Sequence, residues 1–429
     1  GAGLLLQPTG QHVLAKLGVI DQIIATSSPV LHLRGVNARG RVVLDVHYRD
    51  LEARRGLTQA SGKPSNDGQT LCGRGITRGA LHNALLSAMR TSSDKAKPVT
   101  LHEGVEIAAV RHDGAQARIT TIAGQTHGPY DLVAVCDGAR SKLRPAWAKS
   151  KAYRYGALWC VAQDHDNTFA GTLSQVYGST TAMVGFLPSG NPLALDGTDK
   201  SRLAPQTVSF FWSLPTDEIA PLKASSLDDW KANVLRLAPH AQGVLDQVLS
   251  WEQMIPSPYF DAVASPCCDG PIVYLGDAGH AMSPQLGQGA NLALWDSLVL
   301  SEHLAWRDTS LPSARSRPEP PPMADTLKAF SRARRDHIRY YSWASMLLTP
   351  WFQSDARALA PLRDAFMAPL TSIPWVRRQM LQSLAGIKTG IISSLPMPPR
   401  PSADLAITSA SRPSPESAQL PPRGARRST

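Results

Sequence analysis

Apolar residues recur along this chain in two periods, one close to 3.6 and one close to 2, and the switches between them outline its elements. Val13, Leu14, Leu17 and Ile20 fall at helical spacing, so residues 7–25 are expected to form a helix. Residues 30–38 and 41–48 have strand character and are joined through Arg39-Gly40, which predicts a hairpin. Residues 52–70 are polar and rich in glycine and read as a loop. Leu81, Leu85 and Leu86, with Ala88 and Met89, mark a helix after Arg78. Residues 105–110 and 117–122 predict a second hairpin around Asp113-Gly114, a favoured hairpin turn. The run DLVAV within residues 130–136 lacks polar alternation, as a strand buried on both faces would.

From about residue 151 to 260 the period-2 pattern dominates. TLSQVYG and TAMVGFLP pair across Ser179-Thr180, and TVSFFWSL is a further strand, so an antiparallel sheet is expected, followed by a helix around Leu227 to Leu237. A short apolar strand at 271–275 leads to Gly276-Asp277. A long helix then carries Leu292, Trp295 and Val299 on one face, with Leu294 and Leu298 beside them. Residues 309–323 are Pro-rich and read as a flexible loop, and the basic stretch LKAFSRARRDHIRYY reads as a helix with its charges outward. The last thirty-odd residues, rich in Pro, Ser and Arg, read as a disordered tail.

Composition narrows the function classes. With 429 residues and 43% hydrophobic content, the chain can bury a sizeable core. No run of 18 apolar residues offers a membrane span, and the opening GAGLLLQPTG has no basic start or cleavage site. The five cysteines are scattered without C-x-x-C spacing, so a reducing cytoplasm is expected and a disulfide frame is not. The twelve histidines have no H-E-x-x-H spacing, so no metal site is expected. The net charge of +10 would suit an anionic partner. No basic stretch is interleaved with stacking aromatics, which argues against nucleic acid; a weak peripheral membrane contact through the basic helix stays open.

The most informative stretch is PIVYLGDAGHAMSPQLGQGAN, residues 271–291. A strand runs into Gly276-Asp277, and Pro284, Gly287 and Gly289 precede a helix that opens at Ala290-Asn291. Glycine lets main chain approach a ligand closely, and a helix start offers unpaired N–H groups at a positive dipole end. An acid beside them accepts hydrogen bonds from hydroxyls. A polyhydroxylated chain ending in an electron-rich ring edge would suit all three. Two further features have ligand-binding character. A second strand ends in Asp137-Gly138-Ala139-Arg140-Ser141, and the carboxyl ends of strands are where open sheets bind ligands. Arg78 opens a helix, a place that suits an arginine only when an anion sits there.

The order and spacing of Gly276-Asp277, His280, Pro284, Gly287, Gly289 and Asn291 resemble the second flavin motif of class A flavoprotein monooxygenases, the para-hydroxybenzoate hydroxylase family. Asp137-Gly138 resembles the motif that in this family lies near the flavin diphosphate and the nicotinamide path, and Arg78 its diphosphate-reaching Arg. The resemblance implies an α/β fold: an FAD/NAD(P)-binding sheet-and-helix domain with an inserted antiparallel β-sheet substrate domain and a helical C-terminal region. It implies FAD as cofactor, NADH or NADPH as transient reductant, and O₂ and an electron-rich, often aromatic small molecule as reactants. The implied cofactor-binding residues are Arg78, Asp137, Gly138, Asp277, Pro284, Gly287, Gly289, Ala290 and Asn291. Asp277 would hold the ribityl chain, Pro284 would lie near the reacting face, and the N–H groups of residues 289–291 would face the flavin N1/O2 edge. Arg140 and Arg144 would assist with the phosphates, His280 would pack or bond locally, and Phe186, Phe210 and Trp212 would line the substrate roof. No catalytic base is named.

The resemblance runs from residue 1 to about 395 and lacks the family's G-x-G-x-x-G turn. The nearest case, Gly73-x-Gly75, continues to Arg78 instead of a third glycine. The expectation is therefore a chain without the family's first βαβ unit of roughly forty residues. The expected divisions are 1–150 (first part of the FAD-binding domain), 151–265 (substrate domain), 266–308 (second part of the FAD-binding domain), 309–323 (loop), 324–395 (helical region) and 396–429 (tail). The alternatives are another flavoprotein oxidoreductase on the same fold, or a non-catalytic homologue that does not retain FAD.

Overall fold

A computed structural model describes residues 2–52, 71–91, 99–193, 206–305 and 320–399. Residues 53–70 of the loop expected at 52–70, most of the 309–323 segment and the tail beyond 399 lie outside the described residues. In chain order the strands are β1 (Gly3–Leu6), β2 (Ser28–Asn37), β3 (Val42–His47), β4 (Gly73–Thr77), β5 (Ile107–His112), β6 (Ala117–Thr121), β7 (Thr126–Tyr130), β8 (Val133–Val135), β9 (Lys149–Gln163), β10 (Gly171–Tyr177), β11 (Met183–Gly190), β12 (Thr207–Pro215), β13 (Ile255–Val263), β14 (Cys268–Asp269) and β15 (Ile272–Tyr274). The α-helices are α1 (Pro8–Lys16), α2 (Ile20–Thr26), α3 (Arg49–Glu52), α4 (Arg78–Thr91), α5 (Ile219–Lys223), α6 (Leu227–Leu237), α7 (Gln242–Leu245), α8 (Asp277–His280), α9 (Gly289–Ala305), α10 (Met323–Phe352), α11 (Leu359–Ser372) and α12 (Pro374–Leu384). This is the α/β fold expected.

One nine-stranded sheet runs β1-β4-β2-β10-β11-β12-β9-β13, with β3 on β2. Its pairs are antiparallel except β2–β10. The strands of the middle region therefore share a sheet with the first hairpin. Two small sheets flank it, β5-β6-β7 and β14-β15-β8, and β8 and β15 run parallel. Gly73 and Gly75 lie inside β4 rather than in a phosphate loop. A Cβ at Gly75 would come within 1.8 Å of the Pro188 carbonyl, so this glycine permits close contact between β4 and β11.

Two local expectations need correcting. The helix at 7–25 is two helices: Gly18 adopts φ 74° and turns the chain, and Leu17 is left exposed rather than on the apolar stripe. The strand at 130–136 is not buried on both faces. Tyr130 belongs to β7 in another sheet, β8 is only three residues long, and Ala134 is exposed. Among the described residues β8 bonds to β15 on one side only, with no second strand beside it.

The large sheet buries two cores. On one face Leu158, Cys160, Val184, Phe186, Val208 and Phe210 pack under Trp230 and Val234 of α6 and Val244 and Leu245 of α7. Each such side chain contributes about 1.5–3 kcal/mol by leaving water. On the other face Ala157, Met183 and Phe211, with Trp159 and Tyr259, meet Phe352 of α10 and Met367 of α11. Among the described residues no helix is long and apolar enough to cross a membrane.

Candidate flavin site

Parallel pairing of β8 with β15 sets Val135 opposite Tyr274, so the two strands end side by side. One residue further on, past Cys136 and Leu275, stand Asp137-Gly138 and Gly276-Asp277. Gly276 turns the chain with φ 54° and ψ −139°, a conformation that only glycine adopts without strain, and α8 begins at Asp277. Arg144 clasps the two turns together. It donates to the carbonyls of Gly138 (3.1 Å), Ala139 (2.7 Å) and Ser141 (3.2 Å) on one side, and of Asp277 (2.9 Å) and Ala278 (2.8 Å) on the other. The expectation that Arg144 serves phosphates is therefore corrected: its guanidinium is already engaged by backbone carbonyls. Arg140 lies over the Phe260 ring at 5.5 Å.

The next loop is fixed from below. Ser283 is buried against Ser345 (2.7 Å) and Thr349 (2.6 Å) of α10. Pro284 is exposed and opens a short 3₁₀ turn that ends at Gly287, φ 60°. Gln285 donates to Gln353 at 2.8 Å, and Gln353 in turn donates to Ser213 of β12. The flavin-side loop is thereby joined to the sheet face that carries Phe211 and Ser213. The buried Gln288 donates to the carbonyls of Ser383 (3.0 Å) and Leu384 (2.9 Å), which anchors the C-terminal helices to the same loop.

α9 then starts at Gly289. Asn291 accepts from the Gln7 N–H at 2.8 Å and donates to the carbonyls of Leu5 and Gly287, both at 3.0 Å. Its side chain thus ties the helix start to the end of β1. A Cβ on Gly10 would fall 2.2 Å from the Asn291 Oδ1, so only glycine fits beside this contact. The N–H groups of Gly289, Ala290 and Asn291 have no acceptor among the described residues. The exposed Asp277 carboxylate accepts no hydrogen bond among the described residues, though it faces the Arg144 charge, and its Oδ1 lies 3.6 Å from where a Gly289 Cβ would be. Unpaired donors and an unpaired acceptor meeting at a helix start fit a ligand with a ring edge and hydroxyls, as FAD has. Asp137 is exposed, accepts no hydrogen bond among the described residues and also faces the Arg144 charge, and Gly138 adopts φ 89°. Arg78 opens α4 with its N–H bonded to the Ala2 carbonyl at 3.1 Å. Its exposed side chain has no partner among the described residues, and no contact among them joins it to Asp277 or Asp137.

Behind the cluster lies a buried ionic chain that no motif announces. Asp296 of α9 accepts from the Gly276 N–H at 2.9 Å, bonds His280 at 2.5 Å and accepts from Arg334 at 2.7 Å. Arg334 donates to His337 Nδ1 at 2.6 Å, which leaves the His337 Nε2–H to donate to the Gly386 carbonyl at 2.8 Å. Asp296 and Arg334 are each 1% exposed. Burial opposes ionisation of Asp296, but His280 and Arg334 outweigh it and hold the carboxyl well below its usual range. His337 is lowered to about 3 by burial first and by the neighbouring Arg334 second. The available signals were faint: an acid within an apolar helix, and one arginine among many in a basic helix. His280 bonds within the neighbourhood of its motif, as expected.

The substrate-roof residues were assigned to the wrong face. Phe186, Phe210 and Trp212 belong to the core beneath α6. Residues in β11 and β12 alternate, so their neighbours Gly185, Phe211 and Ser213 face the other way, toward α10 and the flavin loop.

Known proteins are similar to this chain in sequence and in fold. The pattern of the family described as FAD binding domain matches residues 3–307. The 2-heptyl-3-hydroxy-4(1H)-quinolone synthase of Pseudomonas aeruginosa is 25% identical over 369 residues, covering 82% of this chain and 80% of that protein. The ubiquinone hydroxylase UbiL of Rhodospirillum rubrum is 26% identical over 302 residues, 68% of this chain and 60% of that one. In fold, the chain is similar to Klebsiella pneumoniae HpxO complexed with FAD and uric acid, with TM-score 0.65, 17% identity, and coverage of 91% and 89%. P. aeruginosa PqsL in complex with 2-aminobenzoylacetate gives 0.64 at 17% identity, with coverage of 86% and 89%. The chain belongs to the FAD binding domain family and is a flavin-dependent monooxygenase.

Proposed function

We propose that this monooxygenase hydroxylates a flat, electron-rich aromatic small molecule, with NADH or NADPH as reductant and O₂ as oxygen source. The observation that carries this reading is the meeting of three unpaired N–H groups, on Gly289, Ala290 and Asn291, with the unpaired Asp277 carboxylate. Bound there, FAD would supply the redox chemistry and the activation of O₂. Asp277 would accept hydrogen bonds from the ribityl hydroxyls. The helix-start N–H groups would favour negative charge at the ring edge in the manner of an oxyanion hole. Asp137, Gly138 and Arg78 would lie toward the diphosphate, and Pro284 and Gly287 would shape the reacting face. Trp159, Phe211 and Tyr259 on the inner sheet face suit an aromatic ring and exclude water. The names of two relatives, a quinolone synthase and a ubiquinone hydroxylase, specify ring compounds. The domain division follows the same reading: residues 1–150 and 266–308 hold the cofactor and 151–265 roofs the substrate. The purified protein should be yellow, release FAD on denaturation and oxidise NAD(P)H faster with an aromatic substrate. A colourless protein that releases no flavin would sink the proposal.

We also assign the protein to the cytoplasm, which suits its free cysteines. On α10 the exposed residues change from Arg332, Arg335 and Arg339 to Trp343, Met346 and Leu347 along one helical stripe. Arginines beside an aromatic and apolar tip suit weak peripheral contact with an anionic bilayer. The protein should cosediment with vesicles containing anionic lipid, and Trp343→Ser with Leu347→Ser should reduce this several-fold. No cosedimentation with the anionic vesicles would rule the contact out.

A further inference from the structure

The first hairpin carries a cluster that the flavin reading does not use. Strand alternation puts Asp45 and His47 of β3 on one face, and the antiparallel register sets His32 of β2 directly opposite His47. The two imidazoles stack with ring centres 4.0 Å apart and planes at 10°. Both Nε2 atoms converge on one oxygen: Asp45 Oδ1 lies 2.6 Å from His32 and 3.3 Å from His47. The three donor atoms lie within 4.8 Å of one another. Metal bonds of about 2 Å would require donors roughly 3–4 Å apart, so small rotamer adjustments suffice.

We propose that His32, Asp45 and His47 form a binding site for a divalent transition-metal ion of the Zn²⁺ type. Two imidazoles and one carboxylate give the borderline donor set that such ions prefer over Ca²⁺ or Mg²⁺, which take oxygen. Side-chain exposures of 19% for His32, 27% for His47 and 52% for Asp45 leave a rim open to solvent for further ligands. The surrounding charges are mixed. Arg34 stands opposite Asp45 and Arg49 lies near, both opposing a cation, while Asp50 favours one but is paired with Arg377. The ion would cross-link β2 and β3, on a hairpin whose β3 packs against α11. Nothing in this assignment depends on the flavin site.

The test is titration of the chelator-treated full chain with Co²⁺ and Zn²⁺. One Co²⁺ per chain should bind with visible absorption bands and be displaced by Zn²⁺, and Zn²⁺ should raise the thermal midpoint. His32→Ala and His47→Ala should each weaken Zn²⁺ binding at least tenfold and abolish the thermal shift, with unchanged circular dichroism and flavin content. Binding that neither variant alters would overturn the site, as would no binding at micromolar metal. Either result would leave a His–Asp hydrogen-bonded pair as the whole role of the cluster.

Discussion

Asp296→Ala is expected to cost about 3–5 kcal/mol of stability, the range for removing one partner from a buried ion pair. The cost comes from what is left behind. Arg334, 1% exposed, would keep a charge with no counter-ion, and the Gly276 N–H would lose its acceptor. The Gly276 N–H bond to Asp296 fixes the start of this turn, so the Asp277 turn should loosen together with the fold. Asp296→Asn keeps an acceptor for Gly276 and should cost less than alanine. Chemical denaturation compared across the two variants and the parent checks this. Equal stability of Asp296→Ala and the parent would remove the ionic chain from any structural role.

The same chain sets a pH dependence. The folded-state pKa of His337 is lowered to about 3 from 6.5, and that of His12 to about 4. For a group depressed on folding, the unfolded state binds the extra proton, so the stability contributed is full above the unfolded value and is lost as pH falls. Both histidines therefore destabilise the fold between pH 6.5 and about 4. For His337 the reason is geometric: its Nδ1 already accepts from Arg334, and a proton there would set two cations face to face. Asp296 stays ionised throughout this window and adds its loss only at stronger acidity. The thermal midpoint should fall steadily from pH 7 to pH 4.5, and His337→Gln should flatten the slope.

How much could be read from sequence depended on whether a feature was local. The β2–β3 hairpin, α4, α6 and the strand-to-helix turn at Gly276-Asp277 come from short-range periodicity and turn chemistry, and they stand where they were expected. The face of the inner sheet was not legible. β12 carries adjacent apolar residues, Phe210 and Phe211, so alternation marks two faces without saying which one α6 covers. The Asp296–Arg334 pair joins residues 38 apart, and each looks ordinary in its own helix until the helices pack. Arg144 looked like a phosphate ligand because sequence shows a charge near a motif but not the five carbonyls around it. His32, Asp45 and His47 share a face only through strand register, which no spacing rule encodes.

Asp277→Ala should weaken FAD retention by about tenfold to a hundredfold, because hydrogen bonds to a charged group contribute about 1.5–3 kcal/mol. The position is suited to reading a ligand contact cleanly. The carboxylate is exposed and makes no hydrogen bond or ion pair among the described residues, so its removal takes away only its attraction to the nearby Arg144 charge. The Asp277 carbonyl, which Arg144 grips, is backbone and survives the change. Folding stability should therefore stay close to that of the parent while flavin content falls, the opposite pattern to Asp296→Ala. Asp277→Asn retains an oxygen acceptor without charge and should fall between. Flavin dissociation measured by fluorescence recovery, beside a denaturation curve, separates the two effects. If Asp277→Ala holds FAD as tightly as the parent, the carboxylate does not reach the ribityl chain, and the helix-start N–H groups must anchor the cofactor without it.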